Sequence, residues 1–142
     1  MEKLTEELNS ILLDRFGKDS IIALATAVGN IPYVRNVDAF YDNGAFYVLT
    51  HGLSGKMKQI EQNSTVAISG EWFTGQGKGI NLGYFGNAEN SLIADKMKQV
   101  FSAWIDNGHN NFEDINTCIL CIKLSSGVLF ANGIRHEIDF SQ

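Results

Sequence analysis

The sequence predicts a mainly β domain, mostly antiparallel, with a few peripheral helices. Three observations predict it. Apolar, β-branched runs of strand length recur along the chain, and they read as about seven strands. Most of the connections between them are short turns, which join antiparallel neighbours. Stripes of helical period are confined to three places, so strands and helices do not alternate as a doubly wound fold requires. In 142 residues a sheet of that size closes into a barrel or folds into a sandwich. One domain, 1–142, is expected.

The elements follow in order. Leu4, Leu8, Ile11 and Leu12 share one helical face, which predicts an N-terminal helix within residues 1–17. "SIIALATAV" reads as a buried strand and "GNIP" as a turn. "YVRNVDAFY" alternates, and "DNG" then makes a hairpin, since Asn-Gly tolerates positive φ at both positions. "AFYVLT" returns. A short helix over residues 56–62 turns Met57 and Ile60 inward. Residues 64–73 and 78–89 read as two strands around the glycine-rich "GQGKG". Ile93, Met97, Val100, Phe101 and Trp104 then form the apolar stripe of a further helix. A polar loop over 107–116 leads to two final strands, "TCILCIKL" and "GVLFANGIRHEIDF".

Composition narrows the function. With 44% hydrophobic and 19% charged residues the chain is globular. A formal charge of -5 gives no basic excess with which to neutralise a nucleic-acid backbone. No apolar run reaches the ~20 residues of a membrane span. The acidic, amphipathic start is unlike a secretory signal, so a cytoplasmic protein is expected. Cys118 and Cys121 have a C-x-x-C spacing, but on a strand residues three apart face opposite sides, which argues for core packing over zinc.

A few residues break the pattern. Arg35 shares a strand face with Tyr33, Val37, Ala39 and Tyr41, and an arginine buried there needs an anion or a carboxylate such as Asp14, Glu61 or Glu71. The segment "VLTHGLSGKMKQIEQN" supplies Thr50 and Ser54 hydroxyls, Gly52 and Gly55, and Lys56 at a helix start. Free amides at a helix N-terminus make such a segment an anion site. The simpler reading has Ser54 capping the helix and the lysines in solvent. His136 lies among Ile134, Ile138 and Phe140, while His51 and His109 fall in loops. No Ser-His-Asp order, nucleophile elbow or P-loop can be placed.

The order of these pieces resembles the pyridoxamine 5'-phosphate oxidase-like family of FMN-binding split β-barrels, over about residues 20–139. It runs from an Arg-bearing strand through a strand ending in Thr and a Ser-x-Lys loop to "QIEQN" and "TVAIS". The general-stress and nitroimidazole-reductase-like members are the most similar branch. The resemblance implies that Arg35, Ser54 and Lys56 hold the FMN phosphate. It places Asn36 and Val37 beside the flavin and ribityl chain, Leu49 and Thr50 at a backbone and hydroxyl contact, and Asn81 at the flavin ring. It implies a homodimer with cofactor sites at the interface, and NADH or NADPH as a reductant of an oxidoreductase acting on a small organic acceptor. A non-catalytic flavin- or haem-binding protein is the alternative, with His51 or His136 as an axial ligand. Gly55 stands where the oxidases carry an arginine, and no counterpart of their C-terminal Trp and Arg is evident. A true pyridoxamine 5'-phosphate oxidase is therefore not expected.

Overall fold

The computed structural model describes residues 1–142. Eight strands and three helices follow in the order β1 (Glu2–Lys3), α1 (Glu6–Phe16), β2 (Ser20–Val28), β3 (Ile31–Asp42), β4 (Ala45–His51), α2 (Gly55–Gln62), β5 (Thr65–Gly70), β6 (Phe73–Tyr84), α3 (Ser91–Val100), β7 (Thr117–Ala131) and β8 (Ile134–Asp139). The sheet order is β7-β4-β3-β2-β5-β6, and β6 pairs back onto β7. Every pairing in that ring is antiparallel. The result is a closed six-stranded barrel, the architecture expected from the sequence.

The barrel is split along β7. Its first half pairs with β4, from Thr117 to Lys123, and its second half pairs with β8, from Ser126 to Ala131. The ladder changes partner at Leu124 and Ser125, where Leu124 donates to the Gly44 carbonyl and Ser125 accepts from Phe140. A second opening lies along β3, which pairs with β4 only from Phe40 to Asp42. Residues 31–39 of β3 are paired on the β2 side alone.

Helices plug both ends. At one end Leu8, Leu12 and Phe16 of α1 join the barrel interior, with the Phe16 ring against Phe46 and Phe73. Burial there is complete enough to push the Tyr41 phenol up to about 12, and its hydroxyl donates to Asn9. At the other end Met57 and Ile60 of α2 enter the same cluster. A smaller apolar cluster lies outside the ring, where Ala94 and Met97 of α3 meet Phe40, Phe101 and Ile119. β4 serves both layers, with Phe46 and Val48 turned inward and Tyr47 and Leu49 outward.

Several boundaries differ from those the sequence suggests. The helix starts at Glu6 on a Thr5 cap, because Glu2 and Lys3 pair in parallel with Ile138 and Asp139. "GQGKG" is not a turn but the middle of β6; the turn is Glu71-Trp72. Gly75 and Gly79 face inward, and the space a side chain would take is filled by Leu124, Ile68 and Ile60. The final pair also shifts. β7 runs unbroken through Ser125 and Ser126, and the hairpin sits at Asn132-Gly133, with φ of 54° and 75°. That turn uses the same positive-φ pair as Asn43-Gly44, at 45° and 85°. Trp72 adopts φ 54°, a costly conformation for a bulky side chain. Arg15 pins this tip by donating to the carbonyls of Glu71 and Phe130 at 3.2 and 3.1 Å.

Candidate anion site at the barrel mouth

Strand register brings the candidate residues to the α2 end of the barrel. Arg35 lies opposite Leu24 on β2, and its guanidinium turns into the mouth. Nη1 donates to the Leu24 carbonyl at 3.2 Å and to the Thr26 hydroxyl at 2.9 Å. Nη2 donates to Gln59 Oε1 on α2 at 2.5 Å. The same Gln59 oxygen accepts from Thr26 at 2.6 Å, which closes a three-membered cycle. None of the carboxylates that the sequence offered as partners, Asp14, Glu61 or Glu71, pairs with Arg35.

Lys56, half-buried one turn before Gln59, also has no carboxylate within salt-bridge distance. Burial first, and the neighbouring Arg35 charge second, push the Lys56 ammonium below its usual range. Burial likewise lowers Arg35. Two cations that repel each other in a partly desolvated mouth are a standing cost, which an anion between them would relieve.

The start of α2 adds donors. Ser54 occupies the N-cap position but its side chain makes no capping bond, so the capping expectation does not hold. Instead its hydroxyl lies 3.5 Å from that of Thr50, which is buried at the end of β4. The amides of Gly55, Lys56 and Met57 have no protein acceptor, and the first helical bond runs from Lys58 to Ser54. Gly52 differs from its expected role. Its amide is spent on the Asn116 carbonyl at 2.6 Å, and its lack of a side chain admits the Cys118 thiol. His51 braces the loop from both ring nitrogens, with Nδ1 accepting from Leu53 at 3.2 Å and Nε2 facing Asp114 at 3.2 Å.

The structure thus gathers Arg35, Thr50, Ser54 and Lys56 near one end of the barrel, and it distributes the others. Val37 points inward and is part of the barrel core. Asn36 is exposed on the outer face of β3. Leu49 packs in the outer cluster under α3. Asn81 is exposed beside a bulge in β6, and its Oδ1 accepts from Gly83 at 2.8 Å. Gly55 borders open space, since a Cβ there would touch nothing within 4 Å. Gln59 and Thr26 were not among the sequence candidates, because neither a polar residue on a short helix nor a threonine inside a strand stands out by spacing. Cys118 and Cys121 are both free and buried, and burial raises both thiols. His136 is partly buried, and its Nδ1 meets Glu2 at 2.9 Å.

One variant tests the electrostatics of the mouth by itself. The unfolded chain holds its Lys56 proton more tightly than the folded chain does, so stability rises as pH increases through the lowered Lys56 range. Below that range the cost is fully present. Lys56→Met keeps the length and removes the charge, and the ligand-free variant is expected to melt above the parent. A lower melting temperature at pH 7 would contradict this account.

No protein-family profile matches the chain, and no curated protein matches it. Solved structures do. A NimC/NimA family protein from Clostridium acetobutylicum superposes with a TM-score of 0.67 at 18% identity, covering 91% of this chain and 92% of that one. An FAD-binding protein from Mesorhizobium loti gives 0.66 at 16%, with 87% and 92% covered. A haem-binding protein from Mycobacterium smegmatis gives 0.63 at 12%, covering 87% of this chain but 54% of that one. The fold is the split barrel that the sequence resemblance implied.

Proposed function

We propose that the barrel mouth binds the phosphate of FMN and that the protein is a flavin-dependent oxidoreductase acting on a small organic acceptor with electrons from NADH or NADPH. The observation that carries the phosphate is the pair of half-buried cations, Arg35 and Lys56, near enough to repel each other and neither paired with a carboxylate, on and beside a helix whose first three amides are free. A terminal phosphomonoester is a dianion with several acceptor oxygens, which fits two cations and convergent N–H and O–H donors.

Bound there, FMN would supply the redox chemistry, since no side chain of the mouth can carry electrons. The chain's own part is binding and orientation. Arg35 and Lys56 neutralise the phosphate, Thr50 and Ser54 donate to it, and the α2 amides add their dipoles. The backbone of β3 at Asn36 and Val37, on the open edge, lies beside the rest of the ligand in this reading, and the free Asn81 Nδ2 is a donor for the ring.

The same reading makes the protein a cytoplasmic homodimer. The unpaired β3 edge supports it, together with exposed Val34 and Ile21, at 71% and 68% accessibility, a combination that a lone barrel leaves unprotected. No helix is long and apolar enough to cross a membrane. The alternative is non-catalytic flavin or haem binding, and the likeness to a haem-binding protein favours keeping haem in the test. Both histidines offered as axial ligands are already engaged, His51 with Leu53 and Asp114, His136 with Glu2.

Freshly purified protein is expected to show the two-banded visible spectrum of a flavin, to bleach under anaerobic NADH or NADPH, and to sediment at twice 15.7 kDa. A Soret band would replace the flavin by haem, bound flavin that neither nucleotide bleaches would leave a carrier, and a colourless protein that ignores added FMN would remove the proposal.

A further inference from the structure

Resting on the phosphate reading above, we infer that Gln59 is a positioning residue that sets the charge of the mouth and thereby makes it select phosphorylated flavin over riboflavin. The geometry fixes the orientation of its amide. Arg35 Nη2 can donate only to an oxygen, so the atom at 2.5 Å is Oε1. Thr26 donates to the same atom at 2.6 Å, and Thr26 accepts from Arg35 Nη1 at 2.9 Å. The arginine fork is therefore held by a carbonyl, a hydroxyl and an amide oxygen. All three are neutral.

That neutrality is the functional point. A half-buried arginine is most often held by a carboxylate, which locks the fork but cancels its charge. Here the fork is locked and the charge is kept, so Arg35 and Lys56 both remain available to a dianion. Gln59 sits on the same helix as the three free amides, one turn after Lys56, so α2 carries both the donors and the clamp. Asn63, at the end of that helix, donates to the Ala27 carbonyl at 3.1 Å and ties α2 to the strand that bears Thr26. The position of Arg35 and the position of the amides are thus set by one rigid piece.

Gln59→Glu tests this, because it preserves shape and the acceptor for both Arg35 and Thr26 while adding one negative charge. The folded variant is expected to melt at or above the parent temperature. Its affinity for FMN is expected to fall by about tenfold or more, since the added charge lies against the Arg35 guanidinium and offsets the cation that meets the phosphate. Its affinity for riboflavin, which lacks the phosphate, is expected to stay within about twofold. Gln59→Ala, which loses the clamp without adding charge, is expected to fall between the two for FMN. The results separate the inference from the reading beneath it. If the parent binds FMN no better than riboflavin, the phosphate reading fails. If the parent prefers FMN and Gln59→Glu keeps that preference, or weakens both ligands equally, Gln59 does not set the charge of the site.

Discussion

Arg35→Ala protein is expected to leave purification without flavin, and to bind added FMN roughly 100-fold more weakly than the parent. The substitution removes the guanidinium charge together with its two uncommitted N–H donors, two charge-assisted contacts worth about 1.5–3 kcal/mol each. At about 1.4 kcal/mol per tenfold, even the lower figure doubled is a factor of roughly 100. Lys56 and the α2 amides remain, so binding weakens without vanishing. Folding suffers less than binding, because the Thr26–Gln59 bond of 2.6 Å survives without the arginine. Arg35→Lys restores charge but not the fork, and falls between. The flavin-to-protein absorbance ratio and an FMN fluorescence titration read both effects. A variant that purifies with full flavin occupancy would show that the phosphate lies elsewhere.

Gly77→Ala is expected to destabilise the barrel by about 4 kcal/mol or more, the size seen when a substitution strikes a core with no room to yield. Gly77 follows a bulge in the β6–β7 ladder. A Cβ there would lie 2.1 Å from the Lys123 carbonyl oxygen and 2.9 Å from the Leu124 Cα. Both obstacles are backbone, so relief requires moving β7, and β7 also carries β4 and β8. Gly55→Ala is the matched control. Its Cβ meets nothing within 4 Å, it begins a helix, and its effect is expected within about 0.5 kcal/mol. Urea unfolding of the two variants checks the contrast. A Gly77→Ala midpoint close to that of the parent would mean that the bulge can slide.

Arg35 was legible in the sequence for a definite reason. Strand alternation puts a charged residue on an inward face only where something meets it, and five alternate residues made that face unambiguous. Gln59 was not legible, because its role depends on β2, β3 and α2 converging, and a glutamine on a short helix is ordinarily a solvent residue. The β6 glycines misled for the opposite reason. Glycine at alternate positions reads as flexibility, yet here it makes room for Ile60, Ile68 and Leu124. The end of β7 was obscured by Ser125-Ser126-Gly127, polar and small where the strand changes partner from β4 to β8. Strand count and turn chemistry left a barrel or a sandwich, and the family resemblance chose the barrel, whereas β1 is two residues held only by β8 and has no pattern of its own.

The two apolar layers on either side of β4 have a consequence for how the molecule opens. The inner cluster holds 21 buried residues and the outer one 7, so lifting α3 away exposes far less apolar surface than breaching the ring. Such an opening leaves the inner face of β4, with Val48 and Thr50, in place. Amide protons of α3 therefore exchange with solvent through a local, low-energy excursion, while those shared by β4 and β7 wait for global unfolding. Of the barrel mouth, Thr50 belongs to this slow-exchanging β4–β7 unit, whereas the unpaired first amides of α2 exchange freely. Loosening the outer helix is therefore expected to leave the β4 side of the mouth in place.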